Sequence, residues 1–245
     1  MTDACSQTRR GNTIAVIPAR GGSKRIPGKN IKPFCGKPIL AYSIATARAT
    51  GLFDHIVVST DDKEIAAVAR QWGGETPFLR PAGLADDFAG TNAVAAHAAE
   101  WFRQQGTAVD HVCCLYATAP LATPLYITKG FEILKERHCP FVFSVTTFPA
   151  AVQRALRLDA QGRVSALYPE FMPTRTQDLE EAYHDAAQFY WGSPEAFARL
   201  SLFDSGSSVV RLPRHLVVDI DTPEDWTLAE CLYRTLVAMG EITVW

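Results

Sequence analysis

Apolar runs and mixed polar and apolar segments alternate along the first 150 residues of the chain. Four short apolar runs are typical of buried strands, at residues 13–19, 55–59, 110–116 and 141–146. The segments between them favour helices, at residues 38–49, 61 to about 72, 91–104 and 124–137. Asp61 is the predicted N-cap of the second helix, with Glu64 three residues on completing a capping box. Strands that are apolar throughout and alternate with helices predict an α/β fold, a mostly parallel, doubly wound sheet covered on both faces.

The alternation breaks after Pro149, where an excursion of about residues 149–185 begins. Two short apolar runs at 155–158 and 164–168 flank the sequence Asp-Ala-Gln-Gly, which favours a β-hairpin. The rest of the excursion is polar, and such a segment commonly forms a lid or a subunit interface. The remaining predicted elements are two strands and a closing helix, at residues 209–212, 215–220 and 223–239. We expect one domain over residues 1–245, with the excursion as a part of it.

Charge is unevenly distributed, although the net charge of the 245 residues is only −2. No Asp or Glu occurs from residue 4 to residue 53, whereas nine Lys and Arg side chains fall there. A local basic region on a nearly neutral protein suits a small, highly charged anion better than a nucleic acid or an anionic membrane.

The cysteines and the hydropathy of the chain indicate the cellular compartment in which we expect the protein. The six cysteines form no CxxC pair and no metal-finger spacing, and Cys113 and Cys114 fall inside a predicted strand. No signal-peptide pattern opens the chain, and no apolar run approaches the roughly 18 residues that span a bilayer. We therefore expect a cytoplasmic protein with reduced cysteines and with no membrane or nucleic-acid partner.

The sequence PARGGSKRIPGKN, at residues 18–30, follows the first predicted strand directly. Its glycines would let backbone N–H groups approach an anion, and Arg20, Lys24 and Lys29 would neutralise it, so the stretch favours a phosphate-binding loop. Neither the Walker spacing nor the dinucleotide GxGxxG pattern is present. The alternative is an ordinary solvated basic loop.

Two carboxylates, Asp219 and Asp221, lie two residues apart in the sequence VVDID near the other end of the chain. On a strand this spacing places both side chains on one face, where their oxygen atoms can bind one magnesium ion. The alternative is that Asp221 simply caps the helix that begins near Pro223. A phosphate loop and a carboxylate pair make sense together, because phosphates need cations on one side and a bridging metal on the other.

Four stretches of the chain resemble the sugar-acid cytidylyltransferases, the CMP-sialic acid synthetase group. In chain order they are IPARGGSKRIPGKNIKPFCGKPIL, VVSTDDKEIA, LRPAGLADDFAGT and DIDTPEDW. Within the group, YHDAAQFYWG, RTQDLEEAYHD and LYATAPL are most similar to the branch that activates pseudaminic acid. Residues 116–120 depart from the Gln-Pro-Thr-Ser-Pro run usual in the sialic-acid branch. Ala187 stands where the pseudaminic branch is expected to have Gly.

The resemblance implies a Rossmann-like nucleotidyltransferase fold and a definite reaction. CTP and a nine-carbon 2-keto sugar acid would give a CMP-sugar and pyrophosphate, by attack of the anomeric hydroxyl on the α-phosphorus. It also implies Mg²⁺ as the cofactor and a homodimer formed through the excursion.

The resemblance also assigns roles to individual residues. Arg20 and Lys29 would be catalytic, because they would hold the triphosphate and stabilise the charge that grows on the leaving group. The other implied nucleotide contacts are Ala19, Gly21, Ser23, Lys24, Asn30, Arg80, Asp86 and Thr91. Asp219 and Asp221 would bind Mg²⁺, and no general base is assigned.

The sugar would be recognised by residues on two predicted strands. Gln188 and Tyr190 offer an amide and an aromatic that suit a polar ring with N-acyl methyl groups, and Thr118 lies at the end of another strand. For Phe189, between them, core packing is the alternative. His184 and Asp185 either orient the sugar or order the excursion.

Other functions are open at this point. The same chemistry could act on legionaminic acid, N-acetylneuraminic acid or 3-deoxy-octulosonic acid, and the stretch 183–192 is the discriminating feature. A non-catalytic nucleotide-binding module on the same fold is a rival from another class. Such a module would not need the carboxylate pair of Asp219 and Asp221. An NAD-dependent oxidoreductase lacks support, because its glycine fingerprint is missing.

Overall fold

The computed structural model describes residues 12–84, 90–203 and 205–243, which form a six-stranded central sheet with helices on both faces. The strands are β1 (Thr13–Pro18), β2 (Pro33–Phe34), β3 (Lys37–Pro38), β4 (His55–Ser59), β5 (His111–Leu115), β6 (Phe141–Thr147), β7 (Leu156–Leu158), β8 (Val164–Ala166), β9 (Tyr183–Gly192) and β10 (Ser208–Arg211). The helices are α1 (Ile39–Thr50), α2 (Lys63–Gln71), α3 (Thr91–Gln104), α4 (Pro124–Arg137), α5 (Pro194–Arg199) and α6 (Pro223–Ala238). Among these described helices, none has the length and hydropathy needed to cross a membrane.

The strand order of the central sheet is β10-β6-β9-β5-β1-β4. β1 pairs in parallel with β4 and β5, and β10 pairs in parallel with β6, whereas β9 is antiparallel to both of its neighbours. The predicted mostly parallel α/β fold is therefore confirmed. β9 comes directly after the excursion, so the chain re-enters the middle of the sheet in the reverse direction.

Both faces of the sheet are buried, because successive strand residues point to opposite sides. On β1, Ala15 and Ile17 pack with α1, α2 and α4, while Ile14 and Val16 pack with α3 and α5. All four side chains are fully buried. A buried aliphatic side chain of the size of Val or Ile contributes about 1.5–3 kcal/mol to folding, so these two layers hold the sheet rigid.

A third apolar cluster joins the two ends of the chain. Phe34, Tyr42, Trp226 and Tyr233 pack edge to face, with ring centroids 5.1 to 5.6 Å apart. Ile26 from the glycine-rich stretch and Ile220 from the carboxylate stretch are buried in the same cluster. The cluster therefore holds residues 18–30 next to residues 219–221, although about 190 positions separate them in sequence.

The excursion forms the predicted hairpin. β7 and β8 pair antiparallel, with Leu158 opposite Val164. The Asp159 carboxylate closes the turn by accepting hydrogen bonds from the N–H groups of Gln161 and Arg163, each at 2.9 Å. The rest of the excursion consists of short 3₁₀ turns at Val152–Arg154, Pro169–Phe171 and Thr176–Asp178.

Two local predictions are wrong. Residues 215–220 are not a strand, because Arg214–Leu216 forms a 3₁₀ turn after Pro213 and the following residues have no sheet pairing within the described chain. Asp61 does not cap α2; Asp62 does, and its carboxylate accepts hydrogen bonds from the N–H groups of Glu64 and Ile65.

Candidate active site

A cleft of about 590 Å³ opens at the carboxyl ends of β1 and β5, where open α/β sheets usually bind ligands. Nine of the residues predicted to form the site line it: Arg20, Ser23, Lys24, Lys29, Asn30, Arg80, Thr91, Thr118 and Asp221. The lining also includes Arg25 and Tyr116, which were not predicted as site residues. The predicted contact Asp86 lies outside the described residues.

The basic loop, residues 18–30, is folded back on itself at one wall of the cleft. Gly28 has φ +61°, a left-handed conformation that favours glycine, and Lys29–Ile31 continues as a 3₁₀ turn. The Asn30 side chain is buried and donates a hydrogen bond from Nδ2 to the Arg20 carbonyl at 2.9 Å. Asn30 therefore closes the loop, so that the cations at both of its ends line the same cavity.

The start of the basic loop is held by the pair of aspartates after β4. The Gly21 N–H donates to Asp61 Oδ1 at 3.0 Å. A Cβ added at Gly21 would lie only 2.7 Å from Asp62 Oδ2, so a larger residue does not fit without a shift of that carboxylate. Asp61 thus anchors the loop while Asp62 caps α2. Sequence reasoning missed this role, because either of two adjacent aspartates is an acceptable cap.

The Asp221 carboxylate lies against the basic loop, and two basic side chains contact it directly. Lys29 Nζ donates to the Ile220 carbonyl at 2.7 Å and lies 3.4 Å from Asp221 Oδ1. Arg25 Nη2 lies 2.9 Å from Asp221 Oδ2. The glycine-rich loop and the carboxylate segment are therefore joined by two ion pairs at the edge of the cleft.

The charges of Asp219 and Asp221 interact, but Asp219 does not line the cleft. Although the residue as a whole is exposed, desolvation of its carboxyl raises the pKa of Asp219, and the charge of Asp221 raises it further. Lys29 opposes this shift. Two carboxylates that repel each other in this way would be stabilised by a divalent cation between them.

The donor set fits magnesium. Mg²⁺ is usually bound by one or two carboxylates together with phosphate oxygens of a substrate and water. No group of three or more His, Cys, Asp or Glu side chains suited to a metal exists within the described ranges, so a metal here would need ligand oxygens. The alternative that Asp221 caps α6 is wrong, because Thr222 is the N-cap and forms a capping box with Asp225.

Arg80 supplies a buried cation on the side of the cleft near β4. Its Nε donates to Ser59 Oγ at 3.2 Å, and its Nη2 donates to the Ser59 carbonyl. Burial lowers the pKa of the Arg80 guanidinium, and the nearby Asp61 opposes that effect. With its side chain fixed by these bonds, Arg80 offers a rigid donor group to any ligand in the cleft.

Thr91 and Tyr116 lie together in the lining of the cleft. Thr91 begins α3, and its Oγ1 is 2.8 Å from the Tyr116 hydroxyl. Tyr116 follows β5 directly, and its position at the carboxyl end of a central strand is the signal that could have identified it. Burial raises the pKa of the Tyr116 hydroxyl, which therefore stays protonated at neutral pH.

Several predicted contacts lie behind the cleft and do not line it. Ala19 is fully buried, and its N–H donates to the Ser59 carbonyl at 2.9 Å. Gln188 donates from Nε2 to the Leu216 carbonyl, and Tyr190 donates from its hydroxyl to Asp185 Oδ2 at 2.6 Å. Phe189 is fully buried in the core, in agreement with the packing alternative.

The comparisons with known proteins agree with this geometry. A family model described as cytidylyltransferase matches residues 14–193. Pseudaminic acid cytidylyltransferase of Campylobacter jejuni subsp. jejuni serotype O:23/36 (strain 81-176) is 45% identical over 222 residues, which are 90% of this chain and 96% of the relative. CMP-N,N′-diacetyllegionaminic acid synthase of Legionella pneumophila subsp. pneumophila (strain Philadelphia 1) is 34% identical over 227 residues, with 89% and 95% coverage.

One solved structure has the same fold over nearly the whole chain. CMP:2-keto-3-deoxy-manno-octonic acid synthetase, in a complex with CTP, aligns with a TM-score of 0.65 over 94% of this chain and 99% of its own. The sequence identity is 17%, so this likeness concerns the fold alone. From the family match and the identity to full-length relatives, we conclude that the chain belongs to the cytidylyltransferase family.

Proposed function

We propose that this protein is a CTP-dependent cytidylyltransferase that activates pseudaminic acid, forming CMP-pseudaminate and diphosphate. The observation that carries the chemistry is the cleft in which a glycine-rich basic loop lies against the Asp221 carboxylate. Lys29 of that loop contacts both the Ile220 carbonyl and Asp221. The choice of sugar acid is supported by the 45% identity to a pseudaminic acid cytidylyltransferase, against 34% to a legionaminic acid synthase.

In the proposed reaction, the anomeric oxygen of the sugar acid bonds to the α-phosphorus of CTP. The bond between the α-phosphorus and the bridging oxygen breaks, diphosphate leaves with the electron pair, and the hydroxyl proton is released. Arg20, Lys24 and Lys29 come from one loop and line one wall of the cleft. Fixed cations at that wall would bind the triphosphate and stabilise the charge that develops on the leaving diphosphate.

Magnesium is the proposed cofactor, and Asp219 and Asp221 would hold it. When bound, it would supply a divalent charge for the phosphate oxygens. Before that, Arg25 and Lys29 pair with Asp221, so these cations are already positioned beside the place where a negatively charged nucleotide would arrive. Because the reaction draws on CTP, we also propose a cytoplasmic location.

Diphosphate release tests this proposal. The enzyme is incubated with CTP and Mg²⁺ and, in parallel, with pseudaminic, N,N′-diacetyllegionaminic or N-acetylneuraminic acid. Release with pseudaminic acid well above the other two is the expected result. Preference for another acid would keep the reaction and overturn the assigned sugar. No release with any acid would favour a non-catalytic nucleotide-binding module.

We also propose that the protein is a homodimer, formed through the excursion. Three apolar side chains of the hairpin, Leu156, Leu158 and Val164, are 58%, 67% and 60% exposed in the single chain. Exposed apolar patches of this kind usually mark interaction surfaces. A second copy of the chain would cover both patches at once, because a two-fold interface places the same surface on each side.

A further inference from the structure

Each carboxylate oxygen of Asp221 faces a positively charged side chain. Arg25 Nη2 lies 2.9 Å from Asp221 Oδ2, and Lys29 Nζ lies 3.4 Å from Asp221 Oδ1. A divalent cation bound directly to Asp221 would lie at the same oxygen atoms, and like charges at such short distances repel each other. Arg25 and Lys29 are therefore placed to compete with a metal ion for this carboxylate.

The two side chains differ in how readily they can change partners. Lys29 is 19% exposed, and its Nζ also donates to the Ile220 carbonyl at 2.7 Å, so a second bond holds it in place. The Arg25 side chain is 66% exposed, and ion pairs of exposed groups contribute little to stability. The next residue, Ile26, is buried in the apolar cluster that joins the two ends of the chain, so the backbone at Arg25 is fixed. Arg25 can therefore change partners by rotation of its side chain alone.

A nucleotide phosphate group is the second partner that the position of Arg25 favours. Arg25 lines the same cleft as Arg20, Lys24 and Lys29. A guanidinium presents a planar fork of N–H donors that matches two oxygens of one phosphate group, whereas an ammonium acts as a point charge. A triphosphate in this cleft also carries more negative charge than a single carboxylate. It would therefore attract the Arg25 side chain away from Asp221.

We propose that Arg25 changes partners when CTP binds, from the Asp221 carboxylate to a phosphate group of CTP, and so opens Asp221 Oδ2 to the metal ion. This rests on the proposed function, because it assumes that CTP and a divalent cation bind in the cleft. Without nucleotide, Arg25 weakens the binding of metal to Asp221. With nucleotide, the same side chain strengthens the binding of CTP, so the two ligands favour each other's binding.

Binding of each ligand alone tests this exchange without turnover. Electron paramagnetic resonance of free Mn²⁺ gives the metal affinity without nucleotide, and calorimetry in EDTA gives the CTP affinity without metal. We expect Mn²⁺ to bind about 5-fold more tightly to Arg25→Ala than to the wild type, because its competitor for Asp221 is gone. We expect CTP to bind about 10-fold more weakly to the variant, because a charge-assisted hydrogen bond to phosphate is lost. Changes of opposite sign distinguish the exchange from a general loss of structure.

Two controls show whether these changes depend on Asp221. Lys32→Ala also removes one positive charge from this part of the chain, but Lys32 Nζ lies over the Trp226 ring, 4.6 Å from its centroid. Both affinities should stay within about 2-fold of the wild type in that variant, because salt screens charges that do not contact the ligand. In an Asp221→Asn background, Arg25→Ala should no longer tighten Mn²⁺ binding, because the competition takes place at that carboxylate.

The outcomes that would overturn the proposal are distinguishable. If Arg25→Ala leaves the Mn²⁺ affinity unchanged or weakens it, Arg25 does not compete with the metal ion. If Arg25→Ala leaves the CTP affinity unchanged, Arg25 does not contact the nucleotide. In both cases the proposed function stands, provided that the wild type binds CTP. If the wild type binds no CTP even with Mg²⁺, the proposed function fails as well.

Discussion

At the scale of single residues, the cleft of the free protein is already organised by opposite charges. Arg25 and Lys29 both contact Asp221, but the side chains of Arg25 and Asp221 are 66% and 35% exposed. Exposed ion pairs such as that of Arg25 with Asp221 are typically worth about 0–1 kcal/mol. The Lys29 side chain is only 19% exposed, but its contact with Asp221 is long, at 3.4 Å. Replacing these ion pairs by contacts with a nucleotide phosphate and a metal ion would therefore cost little free energy. The pairs can position the three side chains without preventing ligand binding.

Asp221→Asn tests the metal role of this carboxylate. The substitution keeps the size of the side chain but removes a charged ligand, so we expect diphosphate release to fall by at least ~100-fold and the apparent affinity for Mg²⁺ to weaken. The unfolding midpoint should stay within about 2 °C of the wild type, because the ion pair with Arg25 is exposed and the one with Lys29 is long, at 3.4 Å. Magnesium titrations of the rate and thermal unfolding provide the two measurements, with Glu100→Gln, in an exposed ion pair with Arg103, as the matched control. Near-normal turnover would remove Asp221 from the metal site.

The residue scale is also where prediction from sequence was least complete. The glycines, cations and carboxylates could be identified, because their chemistry follows from the residue types alone. The sequence could not show whether Gln188 and Tyr190 reach a ligand. β9 lies in the middle of the sheet, and both of its faces are covered. An amide and a phenol that look like ligand contacts therefore bond within the protein, to Leu216 and Asp185.

At the scale of elements, the start of α6 fixes the backbone beside the carboxylates. Thr222 Oγ1 accepts from the Asp225 N–H at 3.2 Å, and Asp225 Oδ2 accepts from the N–H groups of Thr222 and Asp221 at 2.7 and 3.1 Å. The hydrogen bond from the Thr222 side chain is the main cause that lowers the pKa of Asp225. The helix cap therefore also orients the peptide of a proposed metal ligand.

Thr222→Ala should lower the free energy of unfolding by about 1 kcal/mol, the usual value of a helix N-cap, and Thr222→Ser should restore most of it. Urea unfolding at pH 7 measures both. Because the pKa of Asp225 is lower in the folded state, its contribution is present above its unfolded value of about 3.9 and is lost as the pH falls through the folded value. The difference between Thr222→Ala and the wild type should therefore shrink in acid. An equal loss in the Ala and Ser variants would contradict the capping role.

Most elements were predicted within one or two residues, because apolar runs in a parallel sheet are buried on both faces and stand out from their flanks. The failures are places where a distant contact decides between local options. Val217 and Val218 favour a strand, but Pro213 lacks an N–H group and the chain leaves the sheet there. Asp61 and Asp62 are equally good caps, and the hydrogen bond from Gly21, 40 positions away, selects Asp61 for the loop.

At the scale of the whole molecule, the hairpin of the excursion carries a group of exposed apolar side chains. Leu158 lies opposite Val164 and Leu156 opposite Ala166, so these side chains share one face of the two-stranded ribbon. An isolated hairpin is marginally stable in water, and burial of this face would add the stabilisation that it lacks. The exposed face therefore supports an interface better than it supports a free lid.

The proposed homodimer can be tested on that face. Light scattering coupled to size exclusion should give twice the chain mass for the wild type at micromolar concentration and a single chain mass for Leu158→Lys, because a buried, unpaired lysine is costly in an apolar interface. Leu125→Lys is the matched control, since Leu125 on α4 is 69% exposed and Leu158 is 67% exposed. It should stay dimeric. A monomeric wild type would contradict the dimer, and a dimeric Leu158→Lys would move the interface away from the hairpin. If the monomeric variant also retains full diphosphate release, the cleft of one chain is sufficient for the reaction.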